Sequence, residues 1–289
     1  MKQAILITGY KNIHSFIDII NCFDKERFSF YLHIDKRSPL DTTPLQAYRN
    51  VFISTRYAVT WGGENHLKAI LLLAKTALQD PDNAFFHLIT AEDFPVKPMN
   101  AFYELDLTRN YLSFSEMPAP FWGPDGGMDR IRYYQFYNWM DVKKPYRRAI
   151  IYRLLKFQKI LGFKRAYPAN FPKLYGGATY WSLNRDALRY VIDYTDQNSA
   201  FLRRFNHTWC SEEIYFQTLI LNSPFAHTVV NDDLRYIDWS GKRGYPAFLD
   251  ETDFPQLIAS GKLFARKIND SKSGNLKQLL IQYLHPEAG

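Results

Sequence analysis

The sequence predicts an α/β fold built on a parallel, nucleotide-binding-type sheet. Three observations carry this: strand-like and helix-like patterns alternate over the first third of the chain, two of the strand patterns end in dense polar clusters, and the composition is that of a folded globular protein. Of 289 residues, 46% are hydrophobic and 22% charged, which excludes an intrinsically disordered chain. Aromatic residues reach 17%, more than core filling needs and suited to stacking on the flat faces of sugars or bases.

The apolar run from Gln3 to Thr8 reads as a buried strand, and Ile13, Phe16, Ile17, Ile19 and Ile20 then share one side of a helix ending near Phe23. Phe28 to Leu32 is a second strand that runs straight into His33-Ile34-Asp35-Lys36-Arg37. Ligands of open α/β sheets bind at the carboxyl ends of strands, so this cluster is a candidate site. Val51 to Ile53 is a short third strand, and Leu67, Ile70, Leu71, Leu73, Ala74 and Leu78 form an amphipathic helix after the turn at Gly62-Gly63. Ala84 to Ile89 is a fourth strand, ending in Thr90-Ala91-Glu92-Asp93. The remainder is mixed, with strands expected at Tyr111 to Phe114, Ile131 to Phe136 and Thr179 to Leu183. Helices are expected at Ala149 to Leu161, Asp186 to Tyr194 and Glu212 to Leu221. The Pro- and Gly-rich segment from Met117 to Met128 reads as an ordered substrate loop. With no internal repeat or flexible linker, a single domain over residues 1–289 is expected.

The formal net charge is +7, and its excess is local. Lys143, Lys144, Arg147, Arg148, Arg153, Lys156, Lys159, Lys164 and Arg165 fall in one stretch without an acid, and the rest of the chain is net acidic. That argues against nucleic acid as a partner, because no basic surface extends beyond this stretch. Within it, Ile150, Ile151, Leu154, Leu155 and Leu161 share an apolar side, a pattern suited to anionic lipid, so peripheral membrane contact through 143–165 is expected. No apolar run approaches the roughly 20 residues of a membrane span, and only Cys22 and Cys210 are present. The expected compartment is therefore the cytoplasm, at the inner face of the cell membrane.

Phosphate-binding, dinucleotide and nucleophile-elbow glycine motifs are all missing, and no Cys/His set has zinc spacing. Asp80-Pro81-Asp82 is the sole Asp-x-Asp, but it precedes the fourth strand and so falls at the wrong sheet edge for a catalytic metal. His33-x-Asp35 is better placed, yet Lys36 and Arg37 follow at once and favour an anion over a cation. Ser211 reads as a helix N-cap that puts Glu212 and Glu213 in the first turn, where both complement the helix dipole.

Six blocks recur in order: Leu32-His33-Ile34-Asp35-Lys36-Arg37-Ser38, His87 to Lys97, Gly176-Gly177-Ala178-Thr179-Tyr180-Trp181-Ser182-Leu183, Ser211 to Thr218, Leu234 to Trp239, and Leu263-Phe264-Ala265-Arg266-Lys267. Together they resemble the core-2/I-branching enzymes, the β-1,6-N-acetylglucosaminyltransferases of glycosyltransferase family 14, here in a bacterial-type member. The resemblance implies a GT-A-type fold with a Rossmann-like mixed sheet flanked by helices. It also implies a UDP-sugar donor, a glycan acceptor (lipid-linked glycans included), inversion at the anomeric carbon and no cofactor or metal ion. Residues 1–115 become the nucleotide-sugar-binding half and 116–289 the acceptor and catalytic half.

By the same resemblance Glu213 is the general base, although the family's Pro-Asp is replaced here by Ser211-Glu212. Lys267 matches the diphosphate-binding lysine and Arg243 its arginine partner, with Lys242 and Arg266 as alternatives. Thr8, Gly9, His33 and Asp35 match the uridine end of the donor site, joined by Trp61 and Asp93. Glu116 matches a glutamate that grips acceptor hydroxyls, with Arg130 and Arg132 near by, and Tyr236, Asp238 and Trp239 occupy acceptor-contacting positions. N-acetylglucosamine is the expected sugar. UDP-xylose or another UDP-sugar is the alternative within the class, and a non-catalytic carbohydrate-binding protein on this scaffold the alternative outside it.

Overall fold

Four apolar runs in the first ninety residues fold as parallel strands, β1 (Lys2–Gly9), β2 (Phe28–Ile34), β3 (Val51–Ser54) and β4 (Asn83–Thr90), in the computed structural model, which describes residues 1–285. The crossovers contain α1 (Ile13–Asn21) and α2 (Asn65–Ala77). After β4 come β5 (Asp93–Pro95), α3 (Met99–Tyr103), β6 (Asn110–Leu112), β7 (Ser115–Glu116), α4 (Asp129–Arg132), α5 (Pro145–Ile160), β8 (Tyr175–Gly176) and β9 (Trp181–Asn184). The chain continues through α6 (Arg185–Gln197), α7 (Ser199–Arg204), α8 (Glu212–Leu221), β10 (Val229–Val230), β11 (Arg235–Ile237), α9 (Phe254–Ala259), β12 (Phe264–Arg266) and α10 (Asp270–Leu284).

The main sheet has seven strands in the order β10-β6-β9-β4-β1-β2-β3, with β9 antiparallel to both neighbours. It is the mixed α/β sheet flanked by helices that the sequence predicts. One face packs on α2, α6 and α8 through Ile70, Leu188, Phe216 and Trp181, and the other on α1 and α10 through Phe16, Ile20, Phe85, Leu276 and Leu280. A second sheet, β11-β12-β5, lies against the end of the first, and β5 and β12 bring together residues far apart in the chain. Neither this sheet nor α10 is evident in the sequence pattern: strands of three residues carry too little periodicity to register, and α10 opens on a Ser- and Gly-rich turn broken at Ser273.

The strand expected at 131–136 is not one. Its alternation is real, since Ile131, Tyr133 and Gln135 are buried between exposed Arg132 and Tyr134, but no strand lies beside it. Its polar backbone is satisfied instead by His207, whose carbonyl accepts from Gln135 N at 2.9 Å, and by the Gln158 side chain on Tyr134 N at 2.8 Å. The helix expected from Ala149 begins earlier, at Pro145, where a proline suits a first-turn position. Asp80-Pro81-Asp82 does lie at the amino edge of β4, away from the strand ends that face the site.

His87 ties three strands together at the sheet's centre. Fully buried, it bonds Gln3 Oε1 on β1 and Ser182 Oγ on β9, each at 2.8 Å. Burial pushes its pKa down to about 3, with Arg235 adding to the drop, so the ring stays neutral in the fold. The unfolded chain takes up this proton near pH 6.5 and the folded chain does not, so stability present above that pH is lost as pH falls toward 3. Thermal melts from pH 7 to 4 should show a falling Tm, with a shallower slope in His87→Gln; identical slopes would show that His87 contributes nothing to the profile.

Candidate active site at the carboxyl edge of the sheet

Strands β1 and β4 end side by side, with Thr8 and Thr90 as register partners, and two polar networks grow from these two residues. The first starts at Thr8. Its hydroxyl lies 3.0 Å from His66 Nε2, and His66 Nδ1 lies 3.1 Å from Glu212 Oε1. Glu213, the next residue, pairs through Oε2 with Arg130 Nη1 at 2.5 Å, which leaves Oε1 outside the pair. Arg130 is itself stacked on two indoles, 3.9 Å from the Trp122 ring centroid and 4.7 Å from Trp209.

Burial pushes the Glu213 carboxyl up to about 7, against the pull of Arg130 and with Glu212 adding to the rise. The side chain nevertheless keeps 26% of its surface exposed, so it can be reached from solvent. Ser211 does not cap this helix: its backbone is already helical, its side chain makes no cap bond, and Glu213 N donates to Cys210 O instead. Glu212 is drawn to His66 rather than standing free in the first turn.

The second network starts at Thr90. Arg266 Nη1 lies 2.6 Å from Thr90 Oγ1 and 2.9 Å from Asp93 Oδ1. Glu92 holds two lysines at once, Lys267 at 3.1 Å and Lys11 at 3.2 Å. Burial would raise the Glu92 carboxyl, but Lys267, Lys11 and Arg266 outweigh it and hold its pKa below the ordinary value.

A short segment joins the networks. Gly177 N donates to Glu213 O at 2.8 Å, and three residues later the buried Tyr180 ring lies 5.1 Å from both Arg235 and Arg266. Three residues of chain span at most about 11 Å. The segment therefore links the Glu213 network to the Arg266-Lys267 network at one edge of the sheet. Two glycines make the approach possible: a Cβ at Gly176 would collide with the Trp122 ring, and one at Gly177 with the Ser113 carbonyl oxygen. The loop from Met117 to Met128 is ordered as expected, closed by Ala119 N on Gly126 O at 2.9 Å, and it delivers Trp122 to Arg130.

A family model, Core-2/I-Branching enzyme, matches residues 4–257. The chain belongs to the Core-2/I-Branching enzyme family of glycosyltransferases. It is 27% identical over 290 residues to xylosyltransferase 2 of Rattus norvegicus, covering 91% of this chain and 31% of that protein. It is also 27% identical over 233 residues to xylosyltransferase 1 of Mus musculus, covering 77% of this chain and 22% of that protein. The chain thus spans about a third or less of the length of these relatives. Among solved structures it is similar to a glycosyltransferase involved in the glycosylation of the major capsid of PBCV-1, at 10% identity and TM-score 0.39 over 99% of this chain and 100% of that one. It is also similar to the bifunctional glycosyltransferase WbbM, at 11% identity and TM-score 0.40 over 92% of this chain and 45% of that one.

The other residues that the family resemblance singles out are placed unevenly. Gly9 closes β1, and its carbonyl oxygen accepts from Asp35 N at 3.0 Å. His33 and Asp35 are at the end of β2 but buried, and their polar atoms are used internally. His33 Nε2 accepts from Tyr57 N at 3.1 Å, and Asp35 accepts from Val59 N at 2.7 Å and pairs with Arg37 at 3.0 Å. They hold the 55–60 loop in place. Trp61 lies beside Trp209 and Tyr137, in the aromatic group on which Arg130 stacks, and not with the Lys267 network. Arg243 is gripped by Asp253 at 2.6 Å, Asp250 at 2.7 Å and Asp238 at 3.5 Å, so its charge is compensated within its own loop.

Tyr236 pairs with Ala265 across β11 and β12, which carries Asp238 and the half-exposed Trp239 to the neighbourhood of Lys267. Glu116 forms an exposed pair with Lys173 at 2.7 Å, and Arg132 is exposed at the end of α4. Sequence reasoning misses His66, Trp122, Trp209 and Lys11, because nothing in their local pattern marks residues that act through distant partners.

Among the described residues, Cys210, Glu212 and Glu213 bring possible metal ligands within 4.8 Å of one another. The set suits a hard divalent cation poorly: Arg130 and His66 each take one oxygen of the two carboxylates, the Arg130 cation lies against Glu213, and the third group is a buried thiol held well above its ordinary pKa rather than an oxygen. A Gly177→Ala substitution should force the segment off Ser113 and cost more than about 2 kcal/mol. Urea unfolding checks this, and an unchanged midpoint would mean that the close approach is not required.

Proposed function

We propose that this family member is an inverting GT-A-type glycosyltransferase that moves a sugar from a UDP donor to a glycan hydroxyl without a metal ion. The observation that carries the reading is Glu213: a reachable carboxyl with a pKa near 7, fixed through one oxygen by Arg130 at the same sheet edge as the Lys267 network. The acceptor oxygen attacks the anomeric carbon from the face opposite the diphosphate. The bond from that carbon to UDP breaks, Glu213 takes the hydroxyl proton, and UDP leaves with the bonding electrons, so the configuration inverts. A base titrating near the working pH is well matched to this task.

Lys267, with Lys11 beside it on Glu92, neutralises the departing diphosphate, and fixed cations do so without reorganisation. Arg243 enters this role only by exchanging its acid partners. The donor sugar is N-acetylglucosamine, with xylose the alternative that the named relatives favour. Thr8 and Gly9 frame the donor side, with the buried Asp93 acting beneath it through Arg266, and Tyr236, Asp238, Trp239 and Glu116 frame the acceptor side.

Glu213→Gln should bind UDP as the unaltered protein does and lose at least about 100-fold in transfer rate. Activity should rise with pH through about 7 as Glu213 loses its proton. Removing the cation in Arg130→Gln should move that rise to higher pH. Steady-state rates over a panel of UDP-sugars, with and without chelator, check both; a Glu213→Gln enzyme at full rate, or loss of activity on chelation, overturns the reading.

Membrane contact belongs to the same proposal. Among the described residues no helix is long and apolar enough to cross a membrane. On α5 the expected apolar side divides, with Ile151 buried and Ile150, Leu154, Phe157 and Leu161 forming one exposed stripe between Arg147 and Arg153. Such a stripe suits the headgroup region of an anionic bilayer, where a lipid-linked acceptor is concentrated. Lys159 is engaged with Asp129, so Arg153→Glu with Phe157→Glu is the cleaner test. Co-sedimentation with phosphatidylglycerol vesicles should fall at least about fivefold in that variant, and equal binding by the two proteins would remove the idea.

A further inference from the structure

Beside the catalytic carboxylate lies a concavity of about 390 Å³ that the reading above leaves unassigned. Its walls are Trp61, Tyr137 and Trp209, and its rim carries Lys143, Arg148 and Tyr152. Tyr137 and Trp209 are stacked with centroids 5.7 Å apart, and Trp61 meets both edge-on at 6.2 and 5.9 Å. Trp209 is shared between this concavity and the site, because Arg130, the partner of Glu213, stacks on it at 4.7 Å. Lys143 Nζ donates to Tyr10 OH at 2.8 Å, one residue past the end of β1, which sets the rim on the same sheet edge.

The chemistry of the walls and rim is specific. Aromatic faces offer surfaces for the C–H groups of a sugar ring, and the volume is in the range of small-ligand sites. Among the described residues neither Lys143 nor Arg148 has an ion-pair partner. The nearest acid in sequence, Asp141, uses its carboxylate on the Lys143 backbone amide at 3.0 Å. Two cations without an anion, beside three aromatic rings, match a sugar that carries a negative group.

We propose that this concavity is an acceptor subsite for a glycan residue bearing an anionic substituent, either a carboxylate or a phosphate. The proposal rests on the transferase reading and specifies the class of acceptor. The acceptor side is assigned because the concavity shares Trp209 with Arg130, the partner of Glu213, while its rim reaches the donor side only through Tyr10, on which Lys143 and Lys11 both lie.

Tryptophan fluorescence titrations of the full chain test it with four probes: methyl β-glucuronoside, glucose 6-phosphate, methyl β-glucoside and inorganic phosphate. At least one anionic sugar should bind at least about tenfold more tightly than the neutral glycoside and than inorganic phosphate, and the tighter of the two identifies the substituent. Lys143→Gln with Arg148→Gln changes exposed side chains only, and it should abolish that advantage while UDP affinity stays unchanged. Equal binding of neutral and anionic sugars, or of phosphate alone, overturns the proposal, as does a double variant that weakens UDP instead. Failure to bind UDP at all would instead sink the transferase reading, so the two failures are distinct.

Discussion

The site depends on one part-buried ion pair. A carboxylate taken out of water is costly unless a cation and further bonds meet it. Glu213 has Arg130 on one oxygen, and Arg130 is fixed in turn between the Trp122 and Trp209 rings. The guanidinium cannot follow the carboxylate away, and the carboxylate cannot turn without leaving its cation unpaired. Arg130 also limits how far burial can raise Glu213, pulling against desolvation and the Glu212 charge.

That pair draws on three remote parts of the chain. Trp122 comes from the 117–128 loop, Trp209 from the turn before α8, and the Glu213 backbone is held by Gly177. Gly177 has no room for a side chain because it passes against Ser113, just after β6. The small antiparallel ribbon of β7 and β8 positions that crossing, so a two-strand element of four residues controls the placement of a charged group in the cleft. This is also why strands on both sides of residue 115 enter the same seven-stranded sheet: the site needs segments from each.

Strands β1, β2 and β4 were legible as compact apolar runs that are almost wholly buried, α1 and α2 by their amphipathic period, and β3 only as a short apolar run at the sheet edge, where Phe52 and Ile53 stay exposed. The carboxyl-edge location followed from polar clusters at the ends of β2 and β4. What resisted reading was pairing. Ile131 to Phe136 has the alternation of a strand but meets side chains and a loop carbonyl in place of a strand, and alternation reports burial, not partners. His33 and Asp35 look like ligand-binding residues in sequence because they are polar at a strand end, yet their bonds go to Tyr57, Val59 and Arg37. Glu212 shows the reverse: a residue expected only to complement a helix dipole reaches His66 and through it Thr8.

The charges of the cleft are paired with unequal strictness, and this bears on what an incoming anion can recruit. Arg243 has three acids around it, and a diphosphate would have to replace all three contacts. Arg266 is committed to Asp93 and Thr90, with a looser contact to Glu92 at 3.8 Å. Lys267 and Lys11 instead share a single carboxylate, Glu92, which leaves one net positive charge across the trio and three ammonium hydrogens on each lysine to redistribute. A diphosphate approaching that trio meets two cations already held close together, whose mutual repulsion Glu92 has offset in the fold. On the proposed reading the lysines therefore exchange partners rather than positions, and the arginines serve as the frame that keeps them at the mouth of the cleft.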